Sequence, residues 1–306
     1  MEIFLPIAHM DVNLLLILSF GLVVGFLSGL VGVGGGFLIT PLLIFIGIPP
    51  LIAVATGSAQ IVGTSAGGSY SHWRLGNVDI KMAALLLLGS WSGGGLGVFL
   101  ARSLEQSGQF NNIVTFLYVV LLGFIGISML IESVNAIRYR GDAPHSLDKK
   151  SENNNWIQRL PFQINFPVSQ MQLSAIVPLV LGVGVGVLTS LMGVGGGFIM
   201  VPIMIYILKM PTKVVVGTSL FQLLFTTAVV ATMQAGLNHA VDPYLAILLI
   251  LGSAFGTQWG TKLGMRLPAE QLRLVLALVV VGVAVKMVWG ILATPEDFFS
   301  ISVLLQ

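Results

Sequence analysis

Two runs of glycine carry the first chemical signal in this chain of 306 residues. Gly34, Gly35 and Gly36 lie in Gly32-Val33-Gly34-Gly35-Gly36-Phe37-Leu38-Ile39-Thr40-Pro41. Gly195, Gly196 and Gly197 lie in Gly193-Val194-Gly195-Gly196-Gly197-Phe198-Ile199-Met200-Val201-Pro202. Consecutive glycines opening a short helix present backbone N–H groups that have no intrahelical acceptor, at the positive end of the helix dipole. That arrangement binds anions. The same glycines also serve a mechanical purpose, a sharp bend between packed helices. Thr56, Ser58 and Gln60 follow the first run, and Thr218, Ser219 and Gln222 follow the second. Hydroxyls and amides donate to oxyanions; hydroxyls equally cap helices, and amides inside a bilayer join neighbouring helices. These twelve residues form the candidate substrate-binding set, an anion site built without an arginine.

The elements that position them are set by composition. Hydrophobic residues make up 56% of the chain and charged residues 8%, with a mean hydropathy of +0.97. A soluble domain carries about 25% charged residues, so the chain reads as a polytopic protein whose solvent is the lipid bilayer. The net charge of +2 comes from scattered loop lysines and arginines, and no basic groove with aromatic platforms marks a nucleic-acid partner. With no cysteine in the chain, disulfides, thiolate metal sites and thiol relays are excluded. Met1 to Asn13 holds no lysine or arginine, so the first apolar segment is read as a retained span rather than a cleaved signal.

A span needs about 20 apolar residues. The expected segments are 12–31, the short 35–48, 51–72, 80–101 and 112–131, then 173–192, the short 196–208, 212–234, 244–262 and 272–292. The glycine runs lie 161 positions apart, so the chain consists of two related halves. Gly21, Gly25 and Gly29 match Gly182, Gly186 and Ser190 at the same offset, and Gly89, Gly93 and Gly97 match Gly252, Gly256 and Gly260 at 163. Four-residue spacing lines small side chains along one helix face, where backbones can approach closely. The expected organisation is a first transmembrane repeat over 1–132, a linker over 133–171 and a second repeat over 172–306. The linker is polar, with Arg138, Arg140, Lys149, Lys150 and Arg159.

Charge decides between two topologies. If all ten segments cross, the halves are inverted. Placing the linker inside then puts twelve lysines and arginines inside and Arg102 alone outside. If the short segments only dip in and out, the count is seven inside and six outside. The positive-inside rule selects the first arrangement. The fold class is thus an all-α polytopic membrane protein of two inverted repeats, each of about five helical segments, with short or broken helices at the glycine motifs. The expected location is the cell (inner) membrane, multi-pass, with the central loop cytoplasmic and both termini outside. Non-helical backbone at membrane depth survives only where protein or a water-filled cavity satisfies it. Paired breaks at matching positions of two halves point to a transporter's binding site.

The duplicated Gly-Val-Gly-Gly-Gly-Phe with its following proline, together with Val216-Gly217-Thr218-Ser219-Leu220, resembles the TauE/SafE sulfite exporter family. The likeness covers approximately 12–132 and 172–293 and leaves the linker unmatched. Ala55-Thr56-Gly57-Ser58-Ala59 departs from the order seen in the second half. The resemblance implies export or movement of sulfite, sulfonates or related organosulfur anions.

Other residues carry weaker signals. Lys286 is the one cation well inside a span, where an ionisable group is a functional candidate, though its long stem can also snorkel outward. His72 offers proton coupling or an interfacial belt position. Asp79 and Asp242 match in the repeat and read as helix caps. No carboxylate pair falls within the spans, so the coupling proton or cation of a carrier is not identified by sequence. The Walker sequence Gly-x-x-x-x-Gly-Lys-Ser/Thr is absent, the glycine runs lack a dinucleotide fingerprint, and no cluster has metal-ligand spacing. The chain therefore reads as no enzyme, with no catalytic residues, cofactor or metal. The leading function is a secondary transporter for a small, sulfur-containing anion, working by alternating access as the ladder-bearing segments slide or rock. An anion channel and a membrane protein recruiting a cytoplasmic factor through the linker are the alternatives.

Overall fold

The structure is a computed structural model that describes residues 2–31, 36–138, 161–169, 171–208, 210–264 and 269–292. Gly34 and Gly35, most of the linker, and the tail after residue 292 lie outside the described residues. The first half contains a hairpin of β1 (Glu2–Leu5) and β2 (Met10–Asn13), then α1 (Leu14–Val31), α2 (Gly36–Phe45), α3 (Pro50–Arg74), α4 (Ile80–Gln106) and α5 (Phe110–Arg138). The second half repeats the order with β3 (Gln163–Phe166), β4 (Met171–Ser174), α6 (Ile176–Met192), α7 (Gly197–Pro202), a π-helical turn (Ile203–Ile207), α8 (Thr212–Leu237), α9 (Pro243–Gly264) and α10 (Ala269–Leu292).

The expected segments are all present, and two begin later than their apolar runs. Segments placed from Val12 and Leu173 open as helices at Leu14 and Ile176, because the residues before them pair as antiparallel strands. The second hairpin therefore straddles the expected linker boundary at residue 171. Each of the two short segments carries a proline, and only the second changes helix type there. Pro41 lies inside α2. Pro202 ends α7, and the chain continues with the wider spacing of a π turn, Leu208 N–H reaching Ile203 O at 3.1 Å. Proline lacks the N–H that an α ladder requires, and local π geometry accommodates the loss.

Polar and apolar groups are distributed as a lipid solvent demands. Phe124 is 73% exposed, and Trp91, Phe99, Phe255, Trp259 and Trp289 also lie on the outer surface. Inside, Thr56, Ser58, Gln60, Ser65, Ser90, Thr218, Gln222 and Thr226 are fully buried. Hydrocarbon cannot satisfy a hydroxyl or an amide, so these groups turn inward to find partners. Ile80–Gln106, Phe110–Ile131 and Val214–Leu237 are each long and apolar enough to cross a membrane alone, and Leu14–Gly29, Ile176–Met192 and Ala277–Gly290 are shorter apolar helices.

The halves interleave through their small-residue ladders. The α1 ladder packs on that of α9, and the α4 ladder on that of α6. A Cβ added at Gly25 would lie 2.3 Å from Ser253 O, and one at Gly256 2.1 Å from Leu22 O. On the other pair, a Cβ at Gly93 would lie 2.1 Å from Val183 O, and one at Gly186 2.3 Å from Ser90 O. Along both pairs the contacts advance together, so partners run parallel: Gly89 meets Leu179 and Gly97 meets Val187.

The central pair behaves differently. Gly68 of α3 meets Leu220 of α8, while His72, one turn later, meets Gly217. Contacts descend α8 as they ascend α3, so these equivalent helices are antiparallel. A two-fold axis that exchanges antiparallel helices is perpendicular to them and lies in the membrane plane. With ten crossings, α1 and α9 run parallel, α4 and α6 run parallel, and α3 and α8 oppose. With eight crossings α3 and α8 would run the same way. The geometry is that of the inverted five-plus-five arrangement.

Gly93→Leu is expected to force α4 and α6 apart and to cost on the order of 1–3 kcal/mol or more, the usual penalty of overpacking. Gly184→Ala, on a face open to its surroundings, should leave stability unchanged. Thermal unfolding in detergent, read beside size-exclusion profiles, checks both.

Candidate functional site

The second glycine run is shaped by three residues in the left-handed region. Gly193, Gly195 and Gly196 have φ of 67°, 71° and 73°, a conformation that costs other residues about 1–2 kcal/mol each. Gly193 ends α6, and its N–H returns to Thr189 O at 2.8 Å. The first bonds of α7 run from the N–H groups of Ile199 and Met200 to Gly196 O, at 3.2 and 2.7 Å. The N–H groups of Gly196, Gly197 and Phe198 precede that ladder and are the orphan donors of a helix start.

The short helices that follow the two runs meet at the pseudo-two-fold axis. Phe37 and Phe198, equivalent residues directly after each run, stack with ring centroids 4.2 Å apart and planes 11° from parallel. Gly36, at the start of α2, is packed so that a Cβ would lie 2.0 Å from Ile61 Cδ1 and 3.3 Å from Gly193 O. Gly195 lies among Leu223, Ile61 and Thr227, and a Cβ at Gly196 would lie 2.1 Å from Val185 Cγ1. Gly36 and residues 195–197 are all buried. In this conformation the glycines are close-packed bends, and the helix starts they form are shut inside the protein.

Tyr118 of α5 supports this junction. It is fully buried, and its hydroxyl donates to the carbonyl of Met192, the last residue of α6 before the glycine turn. A helix end leaves such carbonyls without partners. Sequence reading missed Tyr118, whose counterpart in the second half is an apolar valine region without a hydroxyl, so the repeat gave no signal for it. Ser65 was missed too. It lies seven residues after Ser58, on the same face of α3, fully buried, with a hydroxyl lacking a partner among the described residues.

The hydroxyls of the candidate set are already engaged. Thr56 Oγ1 accepts the N–H of Asp242 at 3.1 Å, and Thr218 Oγ1 accepts the N–H of Asp79 at 3.1 Å. Ser58 donates to Val54 O at 3.0 Å, and Ser219 to Val216 O at 3.1 Å. Because α3 and α8 oppose, Thr56 and Thr218 sit at opposite ends of the pair and are not brought together. The amides stand elsewhere. Gln222 Nε2 donates to Ser90 Oγ at 2.8 Å and to Thr226 Oγ1 at 3.2 Å. Gln60, fully buried, has no partner for either amide atom among the described residues.

Asp79 and Asp242 are the caps that sequence suggested, and they do more. Asp79 Oδ1 accepts Met82 N–H at the start of α4, and Asp242 Oδ1 accepts Tyr244 and Leu245 N–H at the start of α9. Their other oxygens hold the hairpin turns of the opposite half. Ser169 gives both N–H and Oγ–H to Asp79 Oδ2 at 3.0 and 2.7 Å, and Ile7 N–H reaches Asp242 Oδ2 at 3.0 Å. A readable signal for those hairpins existed. Ile3, Pro6 and Met10 recur as Ile164, Pro167 and Met171 at the repeat offset of 161.

The remaining candidates are peripheral. Lys286 is exposed on α10, its Nζ 4.4 Å from the Phe45 ring centroid at the end of α2. His72 is partly buried near the end of α3, with Nδ1 lacking a partner among the described residues, and its Cβ lies against Gly217. No group of three or more metal-ligating side chains occurs among the described residues.

Comparison with known proteins adds to this geometry. The family model described as Sulfite exporter TauE/SafE matches residues 17–287. The chain is 28% identical to the Probable membrane transporter protein YjnA of Bacillus subtilis over 89% of its own length and 98% of that protein's. A Probable membrane transporter protein of Xylella fastidiosa is 29% identical over 90% of this chain and 95% of its own. The Sulfite exporter TauE/SafE family protein 3 of Arabidopsis thaliana is 25% identical over 42% of this chain and 29% of its own. No solved structure matches the chain.

Tyr118→Phe keeps the ring and deletes the hydroxyl, leaving the Met192 carbonyl buried without its donor. The expected cost is about 1–3 kcal/mol. It should show as a lower unfolding midpoint in detergent with the monodisperse profile retained.

Proposed function

The chain belongs to the sulfite exporter TauE/SafE family, and we propose that it is a secondary transporter that exports sulfite, a sulfonate or a related small organosulfur anion by alternating access. The meeting of the two short-helix starts at the pseudo-two-fold axis, marked by the Phe37–Phe198 stack, is the observation that supports this reading most. Each run starts a short helix, so two sets of orphan N–H donors face one junction from opposite membrane sides. Gly34, Gly35, Gly36, Gly195, Gly196 and Gly197 supply the backbone donors in this proposal, with Gln60 and Gln222 nearby. Thr56 and Thr218 take a different part from the one sequence suggested: their oxygens tie the two halves at the ends of α3 and α8.

The packing supports a particular motion. Backbone contact at every fourth residue joins α1 to α9 and α4 to α6. Sliding within such a pair would drive carbonyls into α-carbons, so each pair moves as a unit made of one helix from each half. The α3–α8 contact runs instead through side chains such as Leu220, which can repack. Access changes by rocking the pairs about the central crossing, opening the closed junction to one side at a time. A proton or cation drives the cycle in this proposal, and the protein sits in the cell (inner) membrane with its central loop cytoplasmic and both termini outside.

Purified protein in proteoliposomes should show saturable flux of sulfite or another sulfur oxyanion from a panel including thiosulfate, sulfonates, sulfate and chloride, with a dependence on the imposed proton gradient. Gly196→Val, at φ 73° and facing Val185, should lower that flux at least tenfold while the protein still inserts. Preserved flux would remove the second glycine run from the site. For orientation, the absence of native cysteine makes single-cysteine labelling direct. A membrane-impermeant maleimide should label Ser107→Cys in intact cells and Leu75→Cys only after permeabilisation; the reverse pattern would invert the proposed topology.

A further inference from the structure

Gln60 and Gln222 occupy equivalent positions, each four residues after the threonine that ties the halves together. Their surroundings are not equivalent. Ser90 Oγ–H donates to Leu86 O at 2.7 Å, so its oxygen can only accept, and the amide group that reaches it at 2.8 Å must be the Nε2 of Gln222. The second N–H of that amide goes to Thr226 Oγ1 at 3.2 Å. Gln222 has thereby spent its donors, and its free atom is Oε1, an acceptor. An acceptor turned toward an anion repels it.

Around Gln60 neither matching hydroxyl is reached by the amide. Ser253, the counterpart of Ser90, donates to Ile250 O at 3.1 Å. Thr64, the counterpart of Thr226, donates to the carbonyls of Gln60 and Ile61 at 3.4 and 3.1 Å. The Gln60 amide has no partner for either atom among the described residues, and it is fully buried, so neither lipid nor bulk water supplies one. Its place on α3 is at the edge of the glycine junction. Gly57, one turn before it, faces Thr40 and Ile39 of α2; Gly63, one turn after it, faces Ile250 of α9; and the adjacent Ile61 lies against Gly36 and Gly195. A buried amide without a partner is costly, and such groups persist where a ligand completes them.

We infer that the two glutamines have divided roles: Gln60 donates its amide N–H groups to the transported anion, and Gln222 is a positioning residue that fixes α8 against α4 through Ser90. The anion site is one-sided despite the internal symmetry, so the two halves of the transport cycle are chemically unequal. This inference rests on the transport reading above and assigns the donor within it.

The test uses sulfite uptake by proteoliposomes together with thermal unfolding of the anion-free protein in detergent. Gln60→Met keeps length and volume and deletes the amide. It should raise the KM for sulfite at least tenfold and remove the upward shift in unfolding midpoint that sulfite gives the wild type. Its own anion-free midpoint should stay level or rise, because an unpaired buried amide has been removed. A structural role would move that midpoint down. Ser90→Ala should lower the midpoint and change the KM less than threefold. Gln60→Met with wild-type KM, or Gln222→Leu with a KM increase equal to that of Gln60→Met, overturns the division of roles while leaving transport in place. Wild-type vesicles that take up neither sulfite nor any other anion of the panel overturn the transport reading and this inference together.

Discussion

Backbone contact between helices of different halves is the constraint on which the rest of the structure depends. In lipid, helices gain nothing from burying apolar side chains against one another, and association must come from close packing and hydrogen bonds. The ladders at Gly21, Gly25, Gly252 and Gly256, and at Gly89, Gly93, Gly182 and Gly186, provide the close packing. They also dictate that neither half can stand alone. Each ladder of the first half finds its complementary surface in the second, so the repeats interleave before any ligand site can form.

Once the halves interleave, the starts of α2 and α7 have one place to go. The ladder pairs fix α1 and α6, whose C-terminal ends lead into the runs, and α3 and α8 cross between them. The Phe37–Phe198 stack and the Tyr118 bond to the Met192 carbonyl then define the junction. Backbone that has left the helix is acceptable there because protein surrounds it on every side. The buried carboxylates of Asp79 and Asp242 close the ends. Each joins a helix start, a hairpin turn and a threonine of α3 or α8 into one network. These networks tie the ends of the crossing helices to the rest of the fold.

Much of this was legible in the chain. The ten segments, the short pair carrying Pro41 and Pro202, and the caps at Asp79 and Asp242 follow from periods and residue types that act locally. Charge counting selected the inverted arrangement, which the opposed directions of α3 and α8 display. The ends of the hairpins were read as starts of spans because Val12 and Leu173 extend the apolar runs that follow them, and hydropathy does not distinguish a strand there from a helix. The long-range bonds of Thr56 and Thr218 were not legible. A hydroxyl near a helix start has a local use in capping, and sequence does not reveal that a loop more than 130 residues away delivers an N–H to it.

What the sequence by itself determined is whatever depends on neighbours along the chain: membrane solvent from composition, helices from apolar length, breaks from glycine and proline, and two halves from recurrence. Tertiary structure alone decided which ladder meets which, that equivalent helices α3 and α8 oppose one another, and that Gln222 is satisfied while Gln60 is not. Repetition predicts equal surroundings for equivalent residues. The surroundings differ because Gln222 reaches a hydroxyl of the other half, Ser90, whereas the Gln60 amide reaches neither Ser253 nor Thr64.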